Sequence, residues 1–279
     1  MGIFDGTLLA SDIDGTLLEN GYINPRNIEK IEYFVREGGK FCLCTGRSIG
    51  AISAALEAAK ATSYSIVANG CMIYDNTENK VIYQEFLPEN DRNIADKIYS
   101  AMPNVGIEIH SSGEVFTLRQ TAETDAHQQY EALPTVVLDF NKLLEYNWNK
   151  ALYALENEGQ YDEIRALNFD NEGSVFMTTT ATIDGKKRNY FEQLPQGISK
   201  FVTLKRLCEI VGVKKGGLFA IGDYYNDLEM IKNSDIGAAT ADAPDEIKQY
   251  ADFVAGSCEG GAVADFIDYL SETVKKPKG

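Results

Sequence analysis

Asp12 and Asp14 stand at i and i+2 in the run Asp12-Ile13-Asp14-Gly15-Thr16-Leu17-Leu18, a spacing that lets two acids share one task. The apolar stretch Thr7-Leu8-Leu9-Ala10 ahead of them reads as a buried strand, and Gly15 is where such a strand breaks into a loop. On extended backbone, residues i and i+2 point the same way, so both carboxylates can address one reacting centre. One can attack phosphorus while the other handles the leaving group's proton. The plainer alternative is an Asp-Gly turn with solvated acids. A second D-G-T-L-L string lies earlier, at Asp5-Gly6-Thr7-Leu8-Leu9, but Ile3 stands where its first carboxylate is needed. The chemistry is therefore assigned to Asp12 and Asp14, and Asp5 to the surface.

Three further clusters fall at strand ends or helix starts. Thr45-Gly46 closes the apolar run Phe41 to Cys44, so a hydroxyl and a backbone N–H can face a phosphoryl oxygen. A simple helix N-cap would use the same residues. Lys200 opens a helix after Gly197-Ile198-Ser199 and can neutralise both a phosphate and the nucleophile, unless it is just a solvated lysine. Gly222-Asp223-Tyr224-Tyr225-Asn226-Asp227 follows the apolar run Leu218 to Ile221. There Asp223 is placed to ligate a divalent cation, with Asp227 as a second carboxylate and Asn226 as an amide. Mg²⁺ suits such a set, since it prefers oxygen and is held by one or two carboxylates plus substrate phosphate and water. The alternative is an acidic N-cap and turn.

The elements that must position these groups alternate from the start. Leu8 to Asp12 reads as a strand. Asn24-Pro25 begins a helix to about Glu37, with Ile28, Ile31, Phe34 and Val35 at helical spacing and Gly38-Gly39 ending it. Lys40 to Cys44 is a strand, Ile49 to Ala61 a helix, and Ser65 to Ala68 a strand ending in Asn69-Gly70. Such alternation implies parallel strands with right-handed crossovers, whose C-terminal loops line one sheet edge, where α/β proteins place ligands.

After about Tyr83 the rhythm changes. Val105 to His110 and Val115 to Arg119 predict a hairpin around Ser112-Gly113. Ser174 to Thr182 and Asn189 to Gln193 predict another through Asp184-Gly185. Residues 122 to 172 give mixed signals. An inserted α+β domain is thus expected over 84–192, within a core of 1–83 and 193–279. The rhythm resumes with a helix from Ser199 to about Val211, the strand Leu218 to Ile221 and a helix from Asp227. Strands near Ile236 and at Phe253-Val254 follow, then a helix over Ala262 to Leu270 and a frayed tail from Lys275 to Gly279.

At 279 residues the chain can build one large domain or two modest ones. A net charge of −16 argues against general binding to nucleic acid or anionic membranes, which would repel it. No apolar run approaches a membrane span, and the N-terminus lacks a basic region followed by an apolar one. Met1-Gly2 begins like a myristoylation signal, but Gly6 occupies the Ser/Thr position. Cytoplasmic residence is the expectation. The five cysteines (Cys42, Cys44, Cys71, Cys208 and Cys258) show no metal or redox spacing and fit free thiols in a reducing compartment. Two histidines, His110 and His127, weigh against a His-based zinc site or a Ser-His-Asp triad.

In this order the four clusters resemble the haloacid dehalogenase superfamily of phosphohydrolases. The closer match is its Cof-type branch, which carries a large subclass IIB cap between the second and third motifs. The resemblance spans Asp12 to Leu18, Thr45-Gly46-Arg47, Asn69-Gly70 with Ile73-Tyr74-Asp75, Gly197 to Lys200, and Gly222 to Asp227; Ala239 to Ala243 and Glu259 to Val263 look like the family's late loops. Phe201 departs from it, since Gly commonly follows the lysine, and Tyr224-Tyr225 is bulky for the variable pair. The fold so implied is α/β, a Rossmann-like parallel-sheet core with an inserted α+β cap.

The activity so implied is Mg²⁺-dependent hydrolysis of small phosphate monoesters, sugar phosphates foremost, through an aspartyl-phosphate. Asp12 is the implied nucleophile and Asp14 the acid/base. Asp12, the Asp14 backbone carbonyl and Asp223 are the implied metal ligands, with Asp227 supporting the metal's waters or Lys200. Thr45, the Gly46 N–H, Asn226 and Lys200 would hold the phosphoryl oxygens. A phosphomutase would use the same first carboxylate. A transport ATPase would need membrane spans, and a phospho-acceptor or ligand-binding module would not need Asp14. The implied partner is a small phosphorylated metabolite, with cap residues Lys186-Lys187-Arg188 either a solvated turn or a contact to its polar body.

Overall fold

A computed structural model describes residues 2–60, 62–167 and 173–275. The chain divides into two compact units, one of Met1–Gly46, Ser53–Ile82 and Ser199–Gly279, the other of Arg47–Ile52 and Tyr83–Ile198.

The first unit opens with β1 (Leu8–Ser11), buried along its whole length. Helix α1 (Pro25–Arg36) is started by Asn24, whose side chain accepts from the Arg26 N–H, and by proline in its first turn. Strand β2 (Lys40–Cys44) follows. The helix expected over Ile49 to Ala61 is shorter: a 3₁₀ turn at Gly50–Ile52, which is grouped with the second unit, precedes α2 (Ser53–Ala58) in the first, and Ala61 lies outside the described residues. Gly50, a poor helix former, falls in the 3₁₀ turn rather than in α2. Strand β3 (Thr62–Val67) then turns back through Asn69-Gly70 into β4 (Met72–Asp75), and β5 (Lys80–Gln84) follows. The sequence reading has no strand at either place. β4 pairs with β3 antiparallel, so the sheet is parallel except toward this edge.

The second unit contains α3 (Asn93–Ala101), the hairpin β6 (Gly106–Ser111) and β7 (Glu114–Arg119), α4 (Ala122–Tyr130) and α5 (Phe140–Leu143). It continues through β8 (Lys150–Leu155), α6 (Gly159–Ala166) and the hairpin β9 (Ser174–Ile183) and β10 (Lys186–Pro195). The strand order is β7-β6-β8-β10-β9. Both hairpins turn where expected, with positive φ at Ser112 and Gly113 and at Asp184 and Gly185, the geometry that matches strand twist. Ile107, Ile109, Ala151, Tyr153 and Phe191 point to one face and join its apolar core. β10 stays paired with β9 up to Pro195↔Ser174, so the chain leaves this unit at Ile198 rather than near 192. Of the hairpin cations, Lys186 and Arg188 bind Glu123 at 2.9 and 2.6 Å, and Lys187 binds Glu158 at 2.7 Å. They are committed to carboxylates within their own unit.

The chain then returns with α7 (Lys200–Val211), β11 (Leu218–Gly222), α8 (Leu228–Asn233), β12 (Ile236–Ala239), α9 (Asp245–Lys248), β13 (Phe253–Val254) and α10 (Ala262–Lys275). The last helix runs past Leu270, and residues 276–279 of the expected tail lie outside the described residues. The completed sheet has the order β13-β12-β11-β1-β2-β3-β4-β5, giving an α/β fold. In the central register Ser11 stands beside Ile221 on one side and Leu43 on the other. Asp12, Thr45 and Asp223 therefore emerge together at the C-terminal edge of three adjacent parallel strands. No helix among the described residues is long and apolar enough to cross a membrane. All five cysteines are free thiols.

Candidate active site

Asp12 leaves β1 with its N–H donating to the Ile221 carbonyl at 3.0 Å, so the sheet itself fixes its backbone. Its carboxylate is buried, and Oδ1 accepts from the Lys200 ammonium at 2.7 Å. Lys200 is 1% exposed, which excludes the solvated-lysine alternative. The same ammonium donates to Asp227 Oδ1 at 2.6 Å. Two local features bring Lys200 in: Ser199 caps α7 by accepting from the Val202 N–H, and Gly70 carries no Cβ, which would stand 2.3 Å from the Ser199 carbonyl.

The loop after β11 is folded around Asp227. Its Oδ2 accepts from the N–H groups of Asp223 and Tyr224 at 3.1 and 3.2 Å, and Gly222 makes room, since a Cβ there would lie 2.4 Å from that of Asp227. Asp227 thus orients Lys200 and the Asp223 loop together. Asp223 receives the Thr16 hydroxyl on Oδ1 at 2.9 Å. Gly15, at φ +78°, lets it come close: a Cβ there would lie 2.5 Å from Asp223 Oδ2. The same turn is tightened by the Ile13 carbonyl, which accepts from the N–H groups of Leu17 and Leu18 at 2.9 and 2.8 Å.

Asp12, Asp223 and Asp227 each offer an oxygen within 4.8 Å of the others, and the Asp14 carboxylate is not part of that group. Asp14 is half-buried and close enough to Asp12 to add to the crowding of negative charge there. The electrostatics follow from crowding. Burial first, then Asp227, pushes Asp12 up to about 7 against the pull of Lys200, with Asp14 adding to the rise. Burial, Asp12 and Asp227 raise Asp223 well above the usual carboxylate range. Burial would lower Lys200, but Asp12 and Asp227 more than offset it and hold the ammonium charged. Three carboxylates around one ammonium leave excess negative charge in a desolvated place. An all-oxygen donor set that is short of positive charge fits a hard divalent cation, with Asp12 and Asp223 best disposed to hold it.

A second group forms around Asn69. Thr45 is buried, donates its N–H to Ile66, and accepts on its carbonyl from the Asn69 N–H at 3.0 Å. A Cβ on Gly46 would lie 3.1 Å from the Asn69 amide, and Asn226 Nδ2 donates to Asn69 Oδ1 at 3.2 Å. The structure thus gathers Asp12, Lys200, Asp223 and Asp227 in one cluster, and Thr45, Gly46 and Asn226 around a residue to which the sequence reading gave no role. Thr16, which holds Asp223, has no role in the sequence reading either. The signals were present, in the threonine after Asp-Gly and in the Asn-Gly that ends β3, but a hydrogen bond across 207 residues has no local signature.

The model of the haloacid dehalogenase-like hydrolase family matches residues 9–267, and the chain belongs to that family. Within it the chain is a Cof-type phosphatase. Among its relatives is a Bacillus subtilis protein named 5-amino-6-(5-phospho-D-ribitylamino)uracil phosphatase, 26% identical over 285 residues, covering 94% of this chain and 97% of that one. A haloacid dehalogenase-like hydrolase from Bacteroides thetaiotaomicron shares the fold with a TM-score of 0.78 at 22% identity, over 95% of this chain and 99% of that one. A subclass IIB sugar phosphatase of the same superfamily superposes with a TM-score of 0.81 at 17% identity, over 95% and 99% of the two chains.

Proposed function

We propose that this protein is a cytoplasmic, Mg²⁺-dependent hydrolase of small phosphate monoesters, sugar phosphates foremost, which works through an aspartyl-phosphate on Asp12. The observation that carries the reading is the buried contact of Lys200 with both Asp12 and Asp227, beside Asp223. An acid so placed has a fixed direction and a counter-charge, which an ordinary Asp-Gly turn does not need. The names of the ribitylamino-uracil phosphatase and the sugar phosphatase support a polyhydroxylated phosphate as substrate.

Asp12 attacks phosphorus as the bond to the leaving oxygen breaks, and that oxygen takes the bond's electron pair and the proton of Asp14. Asp14, now a carboxylate, accepts a proton from the water that attacks the aspartyl-phosphate. The phosphorus–Asp12 bond then breaks and free phosphate leaves. Lys200 counters charge on the nucleophile and the phosphoryl group, while Thr45, the Gly46 N–H and Asn226 hold phosphoryl oxygens. Asp12, the Asp14 carbonyl and Asp223 would hold Mg²⁺, which when bound offsets the repulsion between an anionic nucleophile and an anionic substrate. Asp227 keeps Lys200 and the Asp223 loop in place. These groups all lie in the first unit.

A phosphate-release screen against phosphorylated metabolites, with and without Mg²⁺, tests the reading. Release from polyol and sugar phosphates, dependent on Mg²⁺ and lost in Asp12→Asn, is expected. Release undiminished by exhaustive chelation would contradict it.

A further inference from the structure

Three distant segments meet on one short turn. Ala68, Asn69 and Gly70 follow β3 with φ of 52°, 55° and 103°, and all three are buried. Successive left-handed residues are sterically costly for anything but glycine, with Asn the most tolerant of the rest. What the turn achieves is a set of aims. The Asn69 N–H reaches the Thr45 carbonyl at 3.0 Å, and its Oδ1 accepts from Asn226 Nδ2 at 3.2 Å, across 157 residues. Its amide lies against the bare face of Gly46, where a Cβ would be 3.1 Å away. The Gly70 carbonyl accepts from Thr203 Oγ1 at 2.6 Å, which ties in the helix that carries Lys200.

An NH₂ group has two hydrogens. Donating one to Asn69 fixes the plane of the Asn226 amide and hence the direction of the second. We propose that Asn69 is a positioning residue for phosphoryl transfer: it aligns the Asn226 amide and seats against Gly46, so that the loops after β2 and β11 address one phosphoryl group together. This rests on the reading that Asn226 and Gly46 hold phosphoryl oxygens. Asn69 itself acts through them.

The test compares Asn69→Gly, Asn226→Ala and the double variant, each with Mg²⁺, by hydrolysis of an aryl phosphate and by inhibition with inorganic phosphate. Asn69→Gly removes the amide while keeping the left-handed turn accessible. Each single variant should lower kcat/KM, and weaken inhibition by phosphate, about tenfold, the scale of one hydrogen bond to a charged group. The Mg²⁺ concentration for half-activation and the melting temperature should stay near wild type, whereas general loosening of the site would move both. If Asn69 works through Asn226, the double variant should be no worse than Asn226→Ala by more than about twofold. Multiplying losses would overturn the inference. So would a normal Asn69→Gly beside an impaired Asn226→Ala, which leaves the reading of the site standing. A normal Asn226→Ala would overturn that reading and the inference with it.

Discussion

Lys200 Nζ stands 2.7 Å from Asp12 Oδ1, with both side chains buried, joining residues 188 apart in the sequence. The pair sets the electrostatic state of the site. Lys200→Met should lower kcat about 10²–10³-fold, the scale found for losing one charge-stabilising donor. It also leaves Asp12 and Asp227 without their shared counter-ion, so the metal-free protein should lose about 3–5 kcal/mol of stability. Steady-state kinetics together with denaturant melts of the chelated protein check both. An equally stable, active variant would show that the ion pair is incidental.

The crowding of Asp12, Asp223 and Asp227 predicts that metal binding stabilises the fold as well as activating it. Mg²⁺ should raise the melting temperature, and Asp223→Ala should remove that rise together with activity. Thr16→Val deletes the hydroxyl that aims Asp223 and should raise the Mg²⁺ needed for half-activation about 10–100-fold, the usual range for a residue that orients a metal ligand. Titrating Mg²⁺ by thermal melt and by activity checks this independently of substrate.

Asp14→Asn keeps a backbone carbonyl for the metal and loses the titrating group. Turnover should fall on the order of 10²–10⁴-fold. If both proton transfers run through Asp14, the loss should be smaller for a leaving group of low pKa, such as an aryl oxide, in the first step. Comparing alkyl and aryl phosphates measures it. Equal losses would place the proton elsewhere.

The second unit holds a buried pH-sensitive histidine between two carboxylates. His127 Nδ1 lies 2.8 Å from Glu108 and Nε2 lies 3.5 Å from Glu131, with the Tyr190 ring beside it. Burial alone would depress the imidazole, but the two carboxylates more than offset it and hold it up to about 10, above its ordinary 6.5. A raised histidine stabilises the fold fully below about 6.5 and loses that contribution as pH rises toward about 10. Melting temperatures of wild type and His127→Gln should therefore differ most in mild acid and converge in alkali. A gap that widens with pH would reverse the assignment.

Much of this was legible in local pattern. Asn24 before Pro25, Ser199 before Lys200, and the Ser112-Gly113 and Asp184-Gly185 turns each announce their element through a cap or a positive φ. β8 was not legible, because Lys150–Leu155 is buried on both faces and shows no alternation. β4 and β5 were hidden for another reason: the alternating pattern favours a parallel crossover, and nothing in Met72–Asp75 alone says it will fold back on β3. In the site, Asp12, Asp223 and Asp227 were visible as acids at strand ends. Asn69 was not, because its partners, Asn226 and Thr45, come from other loops.

The central claim is that Asp12 carries the phosphoryl group. Intact-mass measurement of enzyme quenched with acid during turnover, followed by peptide mapping, tests it most directly. A single added phosphoryl group on the peptide bearing Asp12, enriched in Asp14→Asn and absent from Asp12→Asn, is the expected result. Undiminished turnover by Asp12→Asn, or the group found on another residue, would contradict it.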